Sequence, residues 1–440
     1  MGVISATDTY GNGTDAVFKG AYDVDYQTVT ITVDNTAIGT ADTVLTGTAM
    51  GNEYYIPAEP ANKTFDPIQV KDEAVGSVTA INDYNIGEKI VLCQNGDYLI
   101  FYHPGTDHVS TSNEVVYKRC PAGSDPGQTA SWSTETLIKS HGTYGVRIFV
   151  AGVDPVTGRV MIFTKVGGDA PTYTTYEFRY LYSDDHGQTW IESTDYYPTM
   201  QADTVNYQSY FPVGSPNGDP DALAFGKIIR TSVGLMVPVF TGERNVMVVF
   251  SYDNGDTWDF ANPVVVDRQT TGKQFVEPYP VQLDGDNIVL MCRDQVDDRG
   301  KCNYAKTTDG GLTWTAFSAS SPVYSGSTQP DQPAPAAGLC IGERVYGCFT
   351  LREPLGKFVF TCVTKAEFLA DPSDLWNPSK TGGLIRTEVD ITPDGRPGYD
   401  AGYFDMERIP GHEYTCLAIC YSPGSVEDAT DLLLRTVPVV

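Results

Sequence analysis

Hydrophobic and polar residues alternate in short runs along this chain, and turn residues separate the runs. The stretch Thr28–Val33 reads TVTITV and alternates with period two, which is typical of a half-buried strand. In the stretch Phe275–Trp314, two apolar runs flank an Asp-Gly-Asp-Asn turn, and a third run follows. Apolar runs of this length around a tight turn predict β-hairpins. Because this pattern recurs along most of the chain, the sequence predicts an all-β fold.

One turn motif occurs three times and has the pattern Ser/Thr-x-Asp-x-Gly-x-Thr-Trp. The aspartates of the three copies are Asp185, Asp253 and Asp309. A short carboxylate in such a turn accepts hydrogen bonds from the backbone N–H groups of the turn itself, and glycine takes a positive φ that other residues avoid. The Trp that follows is large enough to pack one repeat onto the next. We therefore predict a structural role for these three aspartates.

The tryptophans indicate a longer repeat. They lie about 61 residues apart on average, at Trp132, Trp190, Trp258, Trp314 and Trp376. Trp132 and Trp376 end degenerate copies of the turn motif, and the same interval leaves room for a sixth repeat near the end of the chain. Repeats of this size, with about four strands each, are typical of propeller blades. We therefore predict a six-bladed β-propeller over residues 76–440, because a β-helix would need a shorter repeat and two sandwiches would not place Trp at one spacing.

The first part of the chain, residues 1–75, differs from the rest. It is rich in Thr and contains neither Trp nor a copy of the turn motif, and the stretch Pro57–Lys63 has the composition of a linker. We predict a small β-rich module with an anchoring or assembly role, through which the protein docks onto an assembly partner.

Composition disfavours several functions. The chain has 29 Lys and Arg against 56 Asp and Glu, for a net charge of −27, and such a surface repels phosphate backbones, so we expect no nucleic-acid binding. No run of about 18 apolar residues is present, so we expect no membrane insertion. The nine cysteines include no C-x-x-C pair and no zinc-type spacing with His. The sequence therefore predicts neither a metal site nor a cofactor.

The Asp-containing turns in a six-repeat β chain resemble the Asp-boxes, or BNR repeats, of the sialidase superfamily, over roughly residues 76–440. In that family, a tyrosine activated by a glutamate attacks the anomeric carbon, an aspartic acid protonates the leaving group, and three arginines bind the sugar carboxylate. A guanidinium fork suits a carboxylate, and an anionic tyrosine suits an anomeric carbon that already bears a carboxylate. The resemblance implies a glycoside hydrolase that acts on sialylated or other acidic glycans.

Several positions match the family pattern in chain order. Glu277, followed by an Asp-Gly turn and then by Arg293, resembles the family's glutamate and one of its arginines. Arg352 resembles a second arginine of the carboxylate-binding set, with Arg344 close enough to compete for that role. Tyr403, in the run GYFDM, resembles the nucleophile. The resemblance therefore implies catalysis by Glu277 and Tyr403, and substrate binding by Arg293 and Arg352.

The first repeat contains a further match and one departure. Asp107 lies in the loop HPGTDH, which resembles the family's acid loop, and a buried carboxyl there would stay protonated near neutral pH. A metal site formed by His103, Asp107 and His108 is the alternative at this loop. The family's aromatic-Arg-Ile-Pro motif reads YNIG here, so that Asn85 replaces the first carboxylate-binding arginine. Such a replacement removes a charge-assisted contact worth about 1.5–3 kcal/mol.

Two other functions stay open beside the hydrolase. One is a non-catalytic propeller that binds glycans, and the other is a structural propeller of a phage tail, a virion or a surface assembly. Phage polysialic-acid endosialidases resemble this reduced set, with a glutamate and two arginines. The start of the chain lacks the basic and apolar regions of a signal peptide, and Ala6 breaks a myristoylation pattern. Either a virion-associated location or the host cytoplasm before assembly would suit these features.

Overall fold

The computed structural model describes residues 17–19, 28–33, 43–50, 53–55, 68–71, 84–105, 113–142, 144–166, 175–193, 200–201, 223–241, 245–267, 275–294, 302–319, 336–351, 357–376, 389–390, 402–423 and 430–438. Contacts divide the chain into two compact units, Met1–Thr64 with Val440, and Phe65–Val439. This division lies earlier than the boundary at residue 75 that composition suggests. No helix in the described part of the chain is long and apolar enough to cross a membrane.

The first unit contains an antiparallel sheet with the strand order β1-β4-β3-β2. Its strands are β1 (Val17–Lys19), β2 (Thr28–Val33), β3 (Thr43–Met50) and β4 (Glu53–Tyr55). The alternating run at residues 28–33 is strand β2, and it pairs with β3 over its whole length. The linker predicted at residues 57–63 lies outside the described residues.

The second unit consists of repeats in which successive strands pair antiparallel. The first repeat follows β5 (Ile68–Lys71) and comprises β6 (Tyr84–Leu92), β7 (Tyr98–Gly105), β8 (Val115–Cys120) and β9 (Thr136–Lys139). The second comprises β10 (Val146–Val153), β11 (Val160–Val166), β12 (Thr175–Ser183), β13 (Ile191–Glu192) and β14 (Met200–Gln201). The third comprises β15 (Leu223–Ala224), β16 (Gly226–Lys227), β17 (Ile229–Arg230), β18 (Leu235–Phe240), β19 (Val246–Ser251) and β20 (Val264–Asp267).

The remaining repeats follow the same order. The fourth comprises β21 (Phe275–Asp284), β22 (Asn287–Asp294), β23 (Cys302–Thr307) and β24 (Ser318–Ala319). The fifth comprises β25 (Ala337–Ile341), β26 (Arg344–Leu351), β27 (Lys357–Thr364), the helix α1 (Lys365–Ala370), a 3₁₀ turn (Pro372–Trp376) and β28 (Val389–Asp390). The sixth comprises β29 (Gly402–Ile409), β30 (His412–Pro423) and β31 (Thr430–Pro438).

These repeats form a β-propeller of five blades, so the prediction of six blades is wrong. The described strands of the first and last repeats belong to one eight-stranded sheet. They join because β31 pairs in parallel with β6, through Thr430 and Tyr84, and antiparallel with β5. The strand β5 thereby belongs to the propeller, which explains why the boundary between the units lies before it. The Trp spacing counts repeats and cannot show that two of them share a sheet.

The apolar core lies mainly between neighbouring blades. One cluster combines residues of the first and second repeats, another those of the second and third, and a larger one those of the fourth to the sixth. A further cluster takes residues from five of the repeats, among them Ile86, Phe149, Phe225, Val276 and Tyr403. The strands that contribute to this shared cluster meet near the centre of the propeller.

The three Asp-boxes share a common set of hydrogen bonds. In the first, Asp185 Oδ1 accepts from the Thr189 amide at 2.8 Å, and the Gly187 amide, at φ 81°, donates to the Ser183 hydroxyl at 2.7 Å. The corresponding bonds to Asp253 and Asp309 measure 2.8 and 3.0 Å. The tryptophans pack on the preceding repeat. The rings of Trp190 and Phe101 are 5.6 Å apart, and those of Trp258 and Phe163 are 5.1 Å apart.

Candidate active site

Two residues near the starts of the inner strands β21 and β29 have a left-handed backbone. The φ angle is 55° at Glu277 and 34° at Tyr403. Each residue lies at a break in strand register, between Val276 and Tyr279 on β21 and between Gly402 and Phe404 on β29. Positive φ is uncommon outside glycine and concentrates at functional sites, where the surrounding fold holds the strain. The two breaks turn these side chains away from the regular strand pattern.

The two strained residues meet through their side chains. Tyr403 Oη donates a hydrogen bond to Glu277 Oε1 at 2.9 Å, across 126 residues of sequence. Both side chains are buried. A phenol that donates to a carboxylate at this distance has a base in place to take its proton, which is the arrangement of an activated nucleophile.

Arg293 holds the second oxygen of the same carboxylate. Its Nε lies 2.9 Å from Glu277 Oε2, as an ion pair whose angle falls outside hydrogen-bond geometry. The short distance follows from the sheet, because Arg293 on β22 pairs with Val276 on β21, next to Glu277. The carboxylate of Glu277 is therefore shared between a tyrosine and an arginine.

Aromatic rings surround the phenol of Tyr403. The ring centroids of Phe149, Phe225 and Tyr421 lie 5.5, 5.4 and 5.7 Å from that of Tyr403. Rings at these distances pack favourably and restrict rotation of the phenol. The neighbours come from the second, third and sixth repeats, so several blades hold the phenol against Glu277.

Buried charged residues lie on the same inner strands. Glu88 and Lys89 on β6 and Asp405 on β29 are fully buried. Burial raises the pKa of Glu88 well above its usual range. Burial lowers the pKa of Lys89, against the opposing charges of Asp405, Glu88 and Glu277. For Lys227 on β16, burial alone would lower the pKa, but the carboxylates of Asp405 and Glu407 raise it.

The structure describes two of the four remaining candidate residues, Asn85 and Arg344. Asn85 lies on β6 opposite Pro104 of β7. Asp107 and Arg352 lie outside the described residues. Arg344, the competitor of Arg352, lies beside the turn that joins β25 to β26. In the matching hairpin of β21 and β22, Arg293 lies at the end far from the turn, so Arg344 is at the wrong end of its blade to act with it.

Of the three residues in the alternative metal site of the first repeat, the structure describes His103. His103 is buried, and its Nδ1 accepts a hydrogen bond from the Ile148 amide at 3.3 Å. Asp107 and His108 lie outside the described residues. Within the part of the chain that the structure describes, no group of three or more His, Cys, Asp or Glu side chains could hold a metal ion.

Comparisons with known proteins agree with this architecture. The sequence model of the BNR repeat-like domain family matches residues 115–342. The chain is similar to the Hadza microbial sialidase Hz136, with 15% identity and a TM-score of 0.50 over 81% of this chain and 66% of that one. This chain thus spans just under two thirds of that sialidase.

Two intramolecular trans-sialidases are also similar in structure. The leech protein, in complex with 2,7-anhydro-Neu5Ac, is 12% identical, with a TM-score of 0.55 over 88% of this chain and 74% of that one. The protein from Ruminococcus gnavus is 12% identical, with a TM-score of 0.53 over 84% of this chain and 96% of that one. At such identities, the likeness shows a common propeller fold.

Proposed function

We propose that this chain, which belongs to the BNR repeat-like domain family, is a sialidase-like glycoside hydrolase that acts on sialylated or other acidic glycans. The observation that carries the proposal is the contact of Tyr403 with Glu277, at 2.9 Å, between two residues whose backbones are both strained. A packed structural tyrosine would not require positive φ at both partners. The strain is explained if the fold holds a nucleophile and its base in register.

The proposed reaction begins at Tyr403. Its Oη forms a bond to the anomeric carbon of the sugar while its proton passes to Glu277 Oε1. The glycosidic C–O bond breaks, and Asp107 gives the leaving oxygen a proton. A water molecule then attacks the anomeric carbon and gives a proton to Asp107, while the bond to Tyr403 breaks and Glu277 Oε1 returns the proton to the phenol oxygen. Splitting the displacement into two steps is the advantage of a covalent nucleophile.

Arg293 is proposed to act on both the enzyme and the substrate. Its Nε is engaged with Glu277, which leaves the terminal nitrogens of the guanidinium for a carboxylate on the sugar. Arg352 is proposed as the second cation for that carboxylate, with Asn85 as a neutral contact. The complex of the leech protein with 2,7-anhydro-Neu5Ac supports an acidic sugar as the substrate class.

The test is turnover of a fluorogenic α-sialoside and of polysialic acid by the unmodified protein, Tyr403→Phe and Glu277→Gln. We expect each substitution to lower kcat by roughly 10³-fold or more, because the nucleophile and its base act as a unit. Tyr98→Phe is the matched control. Tyr98 is a buried tyrosine of the first repeat that donates to the Arg408 carbonyl at 2.9 Å, so turnover should be preserved. Full turnover by Tyr403→Phe would contradict the proposal.

A glycan-binding propeller without catalysis is the second candidate, and Asn85 favours it. An asparagine in place of an arginine weakens the grip on a carboxylate while leaving a pocket that can still bind a sugar. Binding on a glycan array, with no product from any acidic glycan, would support this candidate over the hydrolase. The proteins compared above include no phage component by name, and the assembly role of residues 1–75 remains a prediction.

A further inference from the structure

Lys89 is a buried charge that makes no hydrogen bond within the described part of the chain. Its side chain on β6 is 0% exposed, and its Nζ has no hydrogen-bond acceptor among the described residues. The ammonium lies instead over the ring of Phe225, 5.1 Å from the centroid. Burying an ammonium without a hydrogen bond is costly. A residue kept at such a cost calls for an explanation beyond packing.

The surroundings connect Lys89 with the proposed nucleophile. Phe225, which carries the ammonium on its face, packs against Tyr403 with the ring centroids 5.4 Å apart. The charges of Asp405 and Glu88 act on Lys89 most strongly, and the charge of Glu277 acts on it less strongly. One aromatic ring therefore separates Lys89 from the phenol of Tyr403. Neither Glu277 nor Tyr403 forms a hydrogen bond with Lys89.

Three of the four oxygens of the neighbouring carboxylates, Asp405 and Glu88, have other partners, and Glu88 Oε2 has no hydrogen-bond partner among the described residues. Asp405 accepts hydrogen bonds from the Ile90 amide at 2.8 Å and from the Tyr279 hydroxyl at 2.5 Å, and Lys227 Nζ lies 3.1 Å away. Glu88 accepts a hydrogen bond from the Tyr421 amide at 3.1 Å. Lys89 Nζ donates no hydrogen bond to either carboxylate, and both act on it through their charge alone.

We infer that Lys89 is a positioning residue for the Glu277–Tyr403 pair: its ammonium, held one ring away without a hydrogen bond, keeps the pair negatively charged. The inference rests on the proposed function of that pair. A substrate carboxylate that binds Arg293 competes for the charge that Arg293 gives to Glu277. A fully buried lysine is out of reach of the substrate, so its charge still acts on the pair when the site is occupied.

The same inference gives a role to the departure in the first repeat. The strand β6 carries Asn85 at the position where the resemblance to sialidases implies an arginine. It carries Lys89 four residues further along. A break in the pairing with β7 lies between Ile86 and Lys89. In this chain, β6 thus carries a positive charge inside the core, one aromatic ring away from Tyr403.

The test compares Lys89→Met with Lys227→Met. The readout is the ¹³Cζ chemical shift of Tyr403, assigned by its loss in Tyr403→Phe and followed across pH in protein labelled at tyrosine. Among the described residues, the titratable and charged groups that the structure relates to Glu277 are Tyr403 on β29, Arg293 on β22 and Lys89 on β6. In Lys89→Met, we expect the pH step that reports protonation of the carboxylate to move upward by roughly half a unit or more. The acid limb of kcat/KM should move in the same direction.

Lys227→Met is the matched control because its lysine lies on the same inner surface but has partners. Lys227 Nζ donates to the Ile90 carbonyl at 2.5 Å and to Glu407 at 3.2 Å. Its loss should lower the thermal unfolding midpoint and leave the Tyr403 titration in place. Lys89→Met should leave the midpoint unchanged or raise it, because it removes an unpaired buried charge.

The possible results separate the inference from the proposed function. An unchanged Tyr403 titration in Lys89→Met overturns the inference, whatever the activity. A shifted titration in a protein that cleaves no acidic glycan supports the inference and refutes the hydrolase. If methionine prevents folding, Lys89→Gln repeats the measurement with the same expected shift. Failure of both variants to fold also overturns the inference, because the charge would then be a requirement of the fold.

Discussion

At the scale of single residues, Glu277 joins two functions in one carboxylate. Its Oε1 accepts from Tyr403, and its Oε2 faces Arg293. Both oxygens are buried, so the loss of Arg293 leaves a negative charge without its ion pair, and the loss of Tyr403 leaves an oxygen without its donor. Such losses lower the free energy of unfolding strongly. The effects of two substitutions are not additive here, because both change the same interaction.

We expect Arg293→Met to lower the free energy of unfolding by about 3 kcal/mol, since it leaves a buried carboxylate unpaired. Adding Glu277→Gln to that variant should recover part of the loss, because the amide is neutral. Urea unfolding of the unmodified protein, the two single variants and the double variant measures the coupling.

Lys365→Met provides a comparison for that cycle. Its lysine pairs with Asp284 at 2.8 Å on the surface, where Asp284 is half exposed, and we expect little change in stability. Strict additivity of the two substitutions at Glu277 and Arg293 would contradict the shared carboxylate.

The sequence allowed part of this site to be predicted. Glu277, Arg293 and Tyr403 were each identified from a local sequence pattern. Each lies at a fixed place on its own strand, and the strands bring the three side chains together. Lys89 could not be found in this way, since a Glu-Lys pair in a strand looks like a solvated pair. Its burial depends on inner strands that lie far apart in sequence.

At the scale of elements, the Asp-box is a turn closed by a carboxylate. Burial alone would raise the pKa of Asp185, but hydrogen bonds from the hydroxyl and amide of Thr189 and from Ser183 lower it to about 2. The pKa of Asp309 is lowered to about 2 by the corresponding groups, again against the effect of burial. These bonds favour the ionised carboxylate of the folded turn.

We expect Asp185→Asn to lower the free energy of unfolding by about 1 kcal/mol at pH 6. The folded pKa lies below the ordinary value of 3.8, so this stability is fully present above that value and is lost as the pH falls through about 2. Thermal unfolding from pH 6 downward should therefore show the two proteins converging in acid.

Asp125→Asn in the degenerate box of the first repeat is the matched control. Asp125 Oδ1 accepts from the Gly127 amide at 2.8 Å, and we expect a smaller and flatter difference. A gap at Asp185 that stays constant down to pH 3 or widens would contradict the assignment of the acid sensitivity to this turn.

The fifth repeat shows where element prediction stopped. Its Trp376 suggested a degenerate box, but the structure has the helix α1 and a 3₁₀ turn there. Thr364 and Glu367 form a capping box, in which each side chain binds the backbone N–H of the other. The Thr-x-x-Glu spacing is a helix signal that is present in the sequence. The prediction missed it because the Trp spacing favoured a degenerate copy of the turn motif at this position.

At the scale of the whole molecule, the first and last repeats share one sheet. The strand β31 has β30 on one side and both β5 and β6 on the other. The sequence period could not reveal this, because the junction is made by Thr430 and Tyr84 and by a strand that precedes the first Trp by many residues. The propeller closes through pairing between strand edges, and such pairing produces no periodic signal in the sequence.

A shortened chain tests the role of β5. We expect a chain that begins at Phe65 to keep the unfolding midpoint of the propeller, and one that begins at Gly76 to lose stability by about 2 kcal/mol or more, because β31 loses its partner along Leu432 to Leu434. Differential scanning calorimetry of the two chains measures the difference. Equal midpoints would show that β5 is dispensable for closure.

The shared sheet also sets the order of events during synthesis. The ribosome releases the first repeat long before the last, so the edge of β6 is unpaired until β31 has been made. An unpaired strand edge of this kind is prone to pair with other chains and aggregate. The same delay separates Glu277 from Tyr403, which enters only with the final repeat. The proposed catalytic pair is therefore complete only when the last repeat has been made.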